Sequence, residues 1–505
     1  MAVNNAVQLQ LFSISQPPVA LSNGLVLESF SHDNVSIQEA RINLEKHYAA
    51  LFDETDEFNR KLVSYQGNKG EIVHGWIRYK EGFSAQLVTN FLHKFSIKST
   101  DTVLDPFGGS ATTLLVAKSL GINAVGIEIL PNCHLAWQAK SHVLDYDVNE
   151  LKYIQASLVE TNPGNTAYHF PHITITESAF PPETERELMF YTEWFDNLQV
   201  SSEAKTLCKL VLTSILEEVS FTRKDGQYLR WDYRSEKVQN RNQIRIAQDK
   251  KTIKVVDKGE LPTVKASLVH ALGIIIADIT KLQQLPFRES CQTLIQGNTL
   301  LVLPTLEAEQ FACVITSPPY CNRYDYTRTY ALELAFLGIG AKINDLRQSL
   351  LSCTVESRSK LSLLEAHYKS LDQHERYTSI LSIVHNNPVF IEINQALQTR
   401  WDRQDMNNKG VLSMVKQYFT ELTFVFAELF RVCKSGAHVV FVNDIVRYGG
   451  EIIPVDLLST NLAEIIGFEP IKVYVLPQRK GNSSQQMGKF GREALRKSIT
   501  VWRKP

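Results

Sequence analysis

Thr316-Ser317-Pro318-Pro319-Tyr320 closes a short run of strand-forming residues. Proline lacks a backbone donor and fixes φ, so the pair stops a strand abruptly. The stiff turn sets the directions of its carbonyls and of the Ser317 hydroxyl. These are acceptors suited to an exocyclic amino group, and Tyr320 offers a ring face to a planar base. Such an amine is a poor nucleophile, because its lone pair is delocalised into the ring. Acceptors placed off the ring plane favour a tetrahedral nitrogen and free that lone pair. The chemistry needs positioning more than a strong base.

A second constellation is "LDPFGGSATT", residues 104–113. A strand ends at Asp105, and Gly108 and Gly109 allow a tight turn and close approach to a ligand. A helix begins over Ser110–Thr113, with free N–H groups and a field that favours negative charge. Glu128 closes the next strand, 23 residues after Asp105. A carboxylate there can accept both hydroxyls of a ribose. Together these features predict a nucleoside ligand. The dinucleotide pattern G-x-G-x-x-G is absent, so a pyrophosphate is not indicated.

The elements that must carry these residues follow from the hydrophobic pattern. "TVLD", "TTLLVAKSL" and "AVGIEI" read as strand, helix and strand, a βαβ unit with parallel pairing. Gly121 stops the helix. Further strands are predicted at "TLIQGN", "ACVITS", "GAHVVFVND", "IKVYVL" and "SITVWRK", making seven. Val415, Phe419, Leu422, Phe426 and Leu429 mark the buried stripe of one long helix. About 20 residues without helical pattern join the last two strands, which fits an antiparallel pair. Residues 1–60 carry no motif. Residues 135–290 and 340–410 interrupt the scheme as helical insertions, the second broken at "HNNPVF".

Composition is that of a globular chain: 505 residues, 44% hydrophobic, 21% charged, net charge −1. Any nucleic-acid surface is therefore a local basic patch. Residues 221–254 hold ten Lys/Arg against four Asp/Glu, interleaved with Tyr228, Trp231 and Tyr233. Arg223, Lys224, Arg230, Arg234, Arg241 and Arg245 are candidate nucleic-acid contacts, against the alternative of a solvated helical face. The connection between the last two strands, Gln478–Lys497, holds six Lys/Arg against one Glu, with Arg479, Lys480 and Lys489 as candidates. The seven cysteines form no CxxC pair and no zinc-ligand spacing, so free thiols, no metal and a cytoplasmic location are expected. No apolar run approaches the ~18 residues of a membrane span.

The Gly-rich stretch resembles motif I of the S-adenosylmethionine-dependent DNA amino-methyltransferases, with Ala111 where glycine is usual. A methyl there is cheap only at negative φ. "YKEGFSAQLVTNFL" resembles motif X, "LIQGNTLLVLPTL" motif III, and "TSPPY" motif IV, in which serine is typical of the cytosine-N4 branch. "LFRVCKSGAHVVFVND" resembles the family's helix-to-strand stretch before Asp444. The resemblance implies a Rossmann-like α/β fold with a mainly parallel seven-stranded sheet and an antiparallel last strand. It implies S-adenosylmethionine held by Phe83, Asp105, Phe107, Gly108, Gly109, Ser110, Thr112, Thr113, Glu128 and Asn298. Catalysis would fall to Ser317, Pro318, Pro319, Tyr320 and Asp444. Asp444 either faces cytosine N3, takes up a proton, or merely ends its strand. Residues 79–134 and 291–505 would form the catalytic domain, with 1–78 as an N-terminal extension. Residues 135–290 would read the target on double-stranded DNA, and 340–410 would be a second insertion. The implied reaction is cytosine-N4 methylation of a flipped-out base, with a companion restriction endonuclease as partner. Adenine-N6, RNA or protein-glutamine methylation and an inactive nucleic-acid-binding subunit are the rivals.

Overall fold

The computed structural model describes residues 26–55, 57–225, 228–476, 490–491 and 495–505. Its centre is an eight-stranded sheet. In chain order the strands are β1 (Phe52–Glu54), β2 (Thr102–Asp105), β3 (Asn123–Glu128), β4 (Gln292–Gln296), β5 (Phe311–Thr316), β6 (Cys433–Asp444), β7 (Glu469–Leu476) and β8 (Lys497–Arg503). Their spatial order is β1-β7-β8-β6-β5-β2-β3-β4. Of these strands only β8 runs against its neighbours, β7 and β6. The sheet is thus mainly parallel, as expected, but has eight strands rather than seven. The extra strand, Phe-Asp-Glu, lies at the edge beside β7. Three residues, two of them acidic, carry no alternation that a sequence reading could detect.

Both faces of the sheet are covered, which parallel strands require. Cys313 and Ile315 of β5 enter one core, and Val314 between them enters the other. Val440 and Val442 of β6 likewise oppose Val439 and Phe441. The first core takes in helices Ala85–Lys94 and Thr112–Leu120. It also takes in Leu151, Leu188, Val211 and Leu272, from four helices of the 135–290 insertion. The second core holds the helix Gly410–Val432, whose five stripe residues are all fully buried. Burying each such side chain contributes about 1.5–3 kcal/mol. Leu364, Ile380 and Leu397 bring the 340–410 helices into that core, and the break at "HNNPVF" separates His374–His385 from Pro388–Asp402.

Strand order reverses between β2 and β5. In open α/β sheets, ligands bind beyond the carboxyl ends at such a point. Asp105, Glu128, Asn298 and Ser317 all lie at that end. Because β8 is antiparallel, its first residue, Lys497, comes to the same end and pairs in register with Asp444.

Candidate active site

A cleft of about 750 Å³, its open mouth included, lies over these strand ends. Phe83, Asp105, Phe107, Gly108, Gly109, Ser110, Thr112, Glu128 and Asn298 line it. Thr113 does not. It is fully buried, and its hydroxyl donates to Asp105 Oδ2 at 2.7 Å. Asp105 Oδ1 accepts from Thr316 Oγ1 and from the Phe107 amide, both at 3.1 Å. Burial raises the Asp105 carboxyl to about 6, against these hydrogen bonds.

Gly109 has φ +51°, and a Cβ there would lie 2.8 Å from the Tyr79 ring. Only glycine fits both the backbone and the contact. Its amide donates to Glu128 Oε2 at 2.7 Å, while Oε1 accepts from the amides of Ile129 and Leu130 at 2.8 Å. These three donors aim the Glu128 carboxylate, which has about four acceptor positions in all. Burial pushes its pKa up. Asn298 Oδ1 caps the short helix Thr299–Val302 by accepting from Leu300 N at 3.0 Å. Its amide nitrogen and one lone pair remain for a ligand. Ala111 sits at φ +66°, so the condition for a cheap methyl there is not met. The methyl points into the core and not into the cleft, so it does not crowd a ligand.

Opposite the glycine turn, Ser317 and Pro319 line the cleft. Pro318 is buried, and Tyr320 is half-buried beside it. The one hydroxyl hydrogen of Ser317 is shared between the Tyr320 oxygen at 3.2 Å and Val442 O at 3.4 Å. Lys497 Nζ reaches the same Tyr320 oxygen at 3.4 Å, pairs with Asp444 Oδ1 at 2.9 Å, and lies 5.0 Å from the Tyr320 ring centroid. Burial raises the Tyr320 phenol, and Lys497 opposes it. Ser317, Tyr320 and Asp444, expected together from sequence, form one polar network. Of the five expected catalytic residues Ser317 and Pro319 line the cleft, and Pro318, Tyr320 and Asp444 do not.

The sequence reading assigned no role to Tyr79, Glu81, Tyr326, Leu350 and Leu351, which also line the cleft. Tyr79 stacks on Tyr330, with ring centroids 5.3 Å apart, and the Tyr330 hydroxyl donates to Glu81. Burial raises the Glu81 carboxyl, against hydrogen bonds from Tyr324 and Tyr330. Tyr326, ten residues past the end of β5, and Leu350 and Leu351 of the second insertion close the remaining side. Lys497 was counted only among the loop's charges. The antiparallel pairing expected for the last two strands was a signal that could have placed it.

The basic candidates divide. Arg223 and Arg241 are exposed, and Arg230 and Arg245 are half-buried. Arg234 grips Asp232 with two hydrogen bonds of 2.8 and 3.0 Å. Lys224 has a side chain only 4% exposed, paired with Glu333, and so does not stand on an outer face. Its hairpin, Thr222–Asp225 with Tyr228–Trp231, packs beside the helix Tyr326–Thr329 that follows the Pro-Pro turn. Arg479, Lys480 and Lys489 lie outside the described residues. Among the described residues, no group of three or more metal-ligating side chains forms, and no helix is long and apolar enough to cross a membrane.

A model of the DNA methylase family matches residues 38–138. The chain is 57% identical over 483 residues to the type II methyltransferase M.BsoBI of Geobacillus stearothermophilus, covering 95% of each chain. It is 38% identical over 479 residues to the type II methyltransferase M.AvaI of Nostoc sp., covering 92% of each. A shorter match, 35% identical over 124 residues, covers 22% of this chain and 23% of the type II methyltransferase M.MjaII of Methanocaldococcus jannaschii.

Proposed function

The chain belongs to the type II DNA methyltransferases of the amino-methylating family, and on that premise we propose that it methylates the exocyclic N4 amine of cytosine, using S-adenosylmethionine, on a base flipped out of double-stranded DNA. The observation that carries the choice of base is Ser317 at the head of the Pro-Pro turn, lining the same cleft as Gly109 and Glu128.

The residues of the cleft fit the cofactor. Glu128 keeps acceptor capacity for a ribose hydroxyl beyond its three backbone donors. Phe83, Phe107 and Leu300 give apolar flanks, and Asn298 gives an amide for the adenine edge. Asp105 keeps an acceptor toward the same space. Bound there, S-adenosylmethionine supplies an electrophilic methyl group.

The chain's own residues do the rest. Ser317 has a single hydroxyl hydrogen, shared between the Tyr320 oxygen and Val442 O, so it offers the cleft an acceptor. That acceptor and the carbonyls of the turn hold the amine's hydrogens out of the ring plane. The lone pair is then free for in-line attack: the new N–C bond would replace the sulfonium's S–C bond, and the amine, cationic and acidic once methylated, would lose its surplus proton to solvent without a strong base. Tyr320 supports the flipped ring, and Asp444 faces the same end of the sheet. A paired amine is out of reach inside the stack, and flipping costs a few kcal/mol. The insertion 135–290 is the proposed target reader, because it carries the basic hairpin that packs beside the helix after the Pro-Pro turn. A companion endonuclease with the same target completes the proposal.

The test is product analysis. DNA incubated with the protein and S-adenosylmethionine is digested to nucleosides and resolved by mass spectrometry. N4-methylcytosine is expected. N6-methyladenine would transfer the reading to adenine, and no methylated base would end it.

A further inference from the structure

We propose that Lys497 is a positioning residue for methyl transfer, fixing Tyr320 and Asp444 as one unit and keeping the acceptor side of Ser317 toward the target amine. The inference rests on the cleft being the methylation site. Lys497 is the first residue of β8, the strand that runs against its neighbours. That reversal alone brings its side chain to the carboxyl ends of β5 and β6. Register pairs it with Asp444, and the ammonium joins the Asp444 carboxylate at 2.9 Å to the Tyr320 oxygen at 3.4 Å.

Hydrogen-bond polarity gives the group its role. An ammonium has donors and no acceptor. The Tyr320 oxygen must therefore accept from Lys497, and it also accepts from Ser317. Ser317 in turn keeps its lone pairs for the cleft. Without the ammonium nothing obliges the Tyr320 hydroxyl to hold that orientation, and Asp444 keeps a negative charge at the strand end with its cation gone. Burial alone would lower the Lys497 pKa, but Asp444 and Tyr320 outweigh it and hold it above the ordinary lysine value. Its side chain is 11% exposed, and that of Asp444 19%. Buried pairs of this kind are weak evidence of a stabilising role, because desolvation offsets the attraction. The position beside the Pro-Pro turn is what assigns the pair to catalysis.

The experiment compares Lys497→Met and Lys497→Arg with the unaltered full-length protein. It measures kcat, KM for DNA, S-adenosylmethionine affinity and thermal midpoint. In Lys497→Met, kcat is expected to fall at least tenfold, with KM and cofactor affinity within threefold. Lys497→Arg should recover a substantial part of kcat, because it restores the cation. Turnover within threefold of normal in Lys497→Met would overturn the proposal. So would equal loss in both variants, or a loss of kcat matched by loss of folding and cofactor affinity. The product released by the unaltered protein reports separately on the base. If that product is N6-methyladenine, the cytosine reading fails while the kcat ratios still decide the role of Lys497. If the unaltered protein methylates nothing, both fall together.

Discussion

Asp105 holds three hydrogen bonds at the end of β2 and is 1% exposed. Its pKa of about 6 lies above the unfolded value near 3.9. The folded state therefore binds its proton more readily than the unfolded chain between roughly pH 4 and pH 6. The stabilisation this gives is complete below the unfolded pKa and is lost as pH rises through 6. At neutral pH the fold carries a buried charge with hydroxyl and amide partners and, among the described residues, no cation bonded to it. Asp105→Asn keeps the shape and removes the charge. Relative to the unaltered chain, it should gain stability at pH 7.5 by at most about 3 kcal/mol, two pKa units at about 1.4 kcal/mol each. The difference should vanish near pH 4. Denaturant unfolding at the two pH values measures it, and equal differences at both would refute the charge argument. Cofactor affinity should fall in the same variant, since the carboxylate lines the cleft.

At the scale of elements, the stripe of Gly410–Val432 was readable because its positions recur at helical spacing. Phe426 on that stripe meets Phe441 of β6 at 5.4 Å and Trp502 of β8 at 5.1 Å, both edge-on. This one side chain braces the two strands whose ends carry Asp444 and Lys497. Phe426→Ala should destabilise by about 3–5 kcal/mol, through lost burial and the cavity left behind. A loss of less than about 1 kcal/mol in denaturant unfolding would show that the strands are braced elsewhere. The Gly108-Gly109 turn and Ser317–Tyr320 were readable for a different reason: each is a contiguous run whose residue types carry the chemistry. Tyr79, Glu81, Leu350 and Lys497 were not assigned, because their roles arise from contacts between distant segments. Tyr79 matters through Gly109, and Lys497 through its register against Asp444, which only the pairing of β8 with β6 reveals. β1 was missed because three residues are too few to show a period.

Across the molecule, buried ion pairs tie the N-terminal segment to elements that pack around the central sheet. Arg41 joins Glu392 at 2.9 Å and Glu451 at 3.0 Å, and Arg400 joins the same Glu451 at 2.6 Å. Arg496, one residue before β8, is held by Glu45 and by Asp456. Over its described residues the 1–78 segment thus packs with the rest of the chain, and the family match begins within it, at residue 38. The 135–290 insertion shares the core in the same way, yet it presents Arg223 and Arg241 outward. That contrast sets a test of the proposed DNA face. Each phosphate contact on duplex DNA contributes about 0.9 to the slope of log affinity against log salt. Changing Arg223 and Arg241 together to alanine should flatten that slope by up to about 2 and weaken binding to all sequences alike. Lys224→Ala should leave the slope unchanged, because the side chain is buried against Glu333. It should instead destabilise the fold by about 3–5 kcal/mol, by leaving a buried carboxylate without its cation. These variants and the unaltered protein, titrated with DNA between about 50 and 200 mM salt with folding checked in parallel, separate surface charge from buried charge. An unchanged slope in the double variant would remove this face from the DNA, and the basic stretch Gln478–Lys497 would have to supply the phosphate contacts.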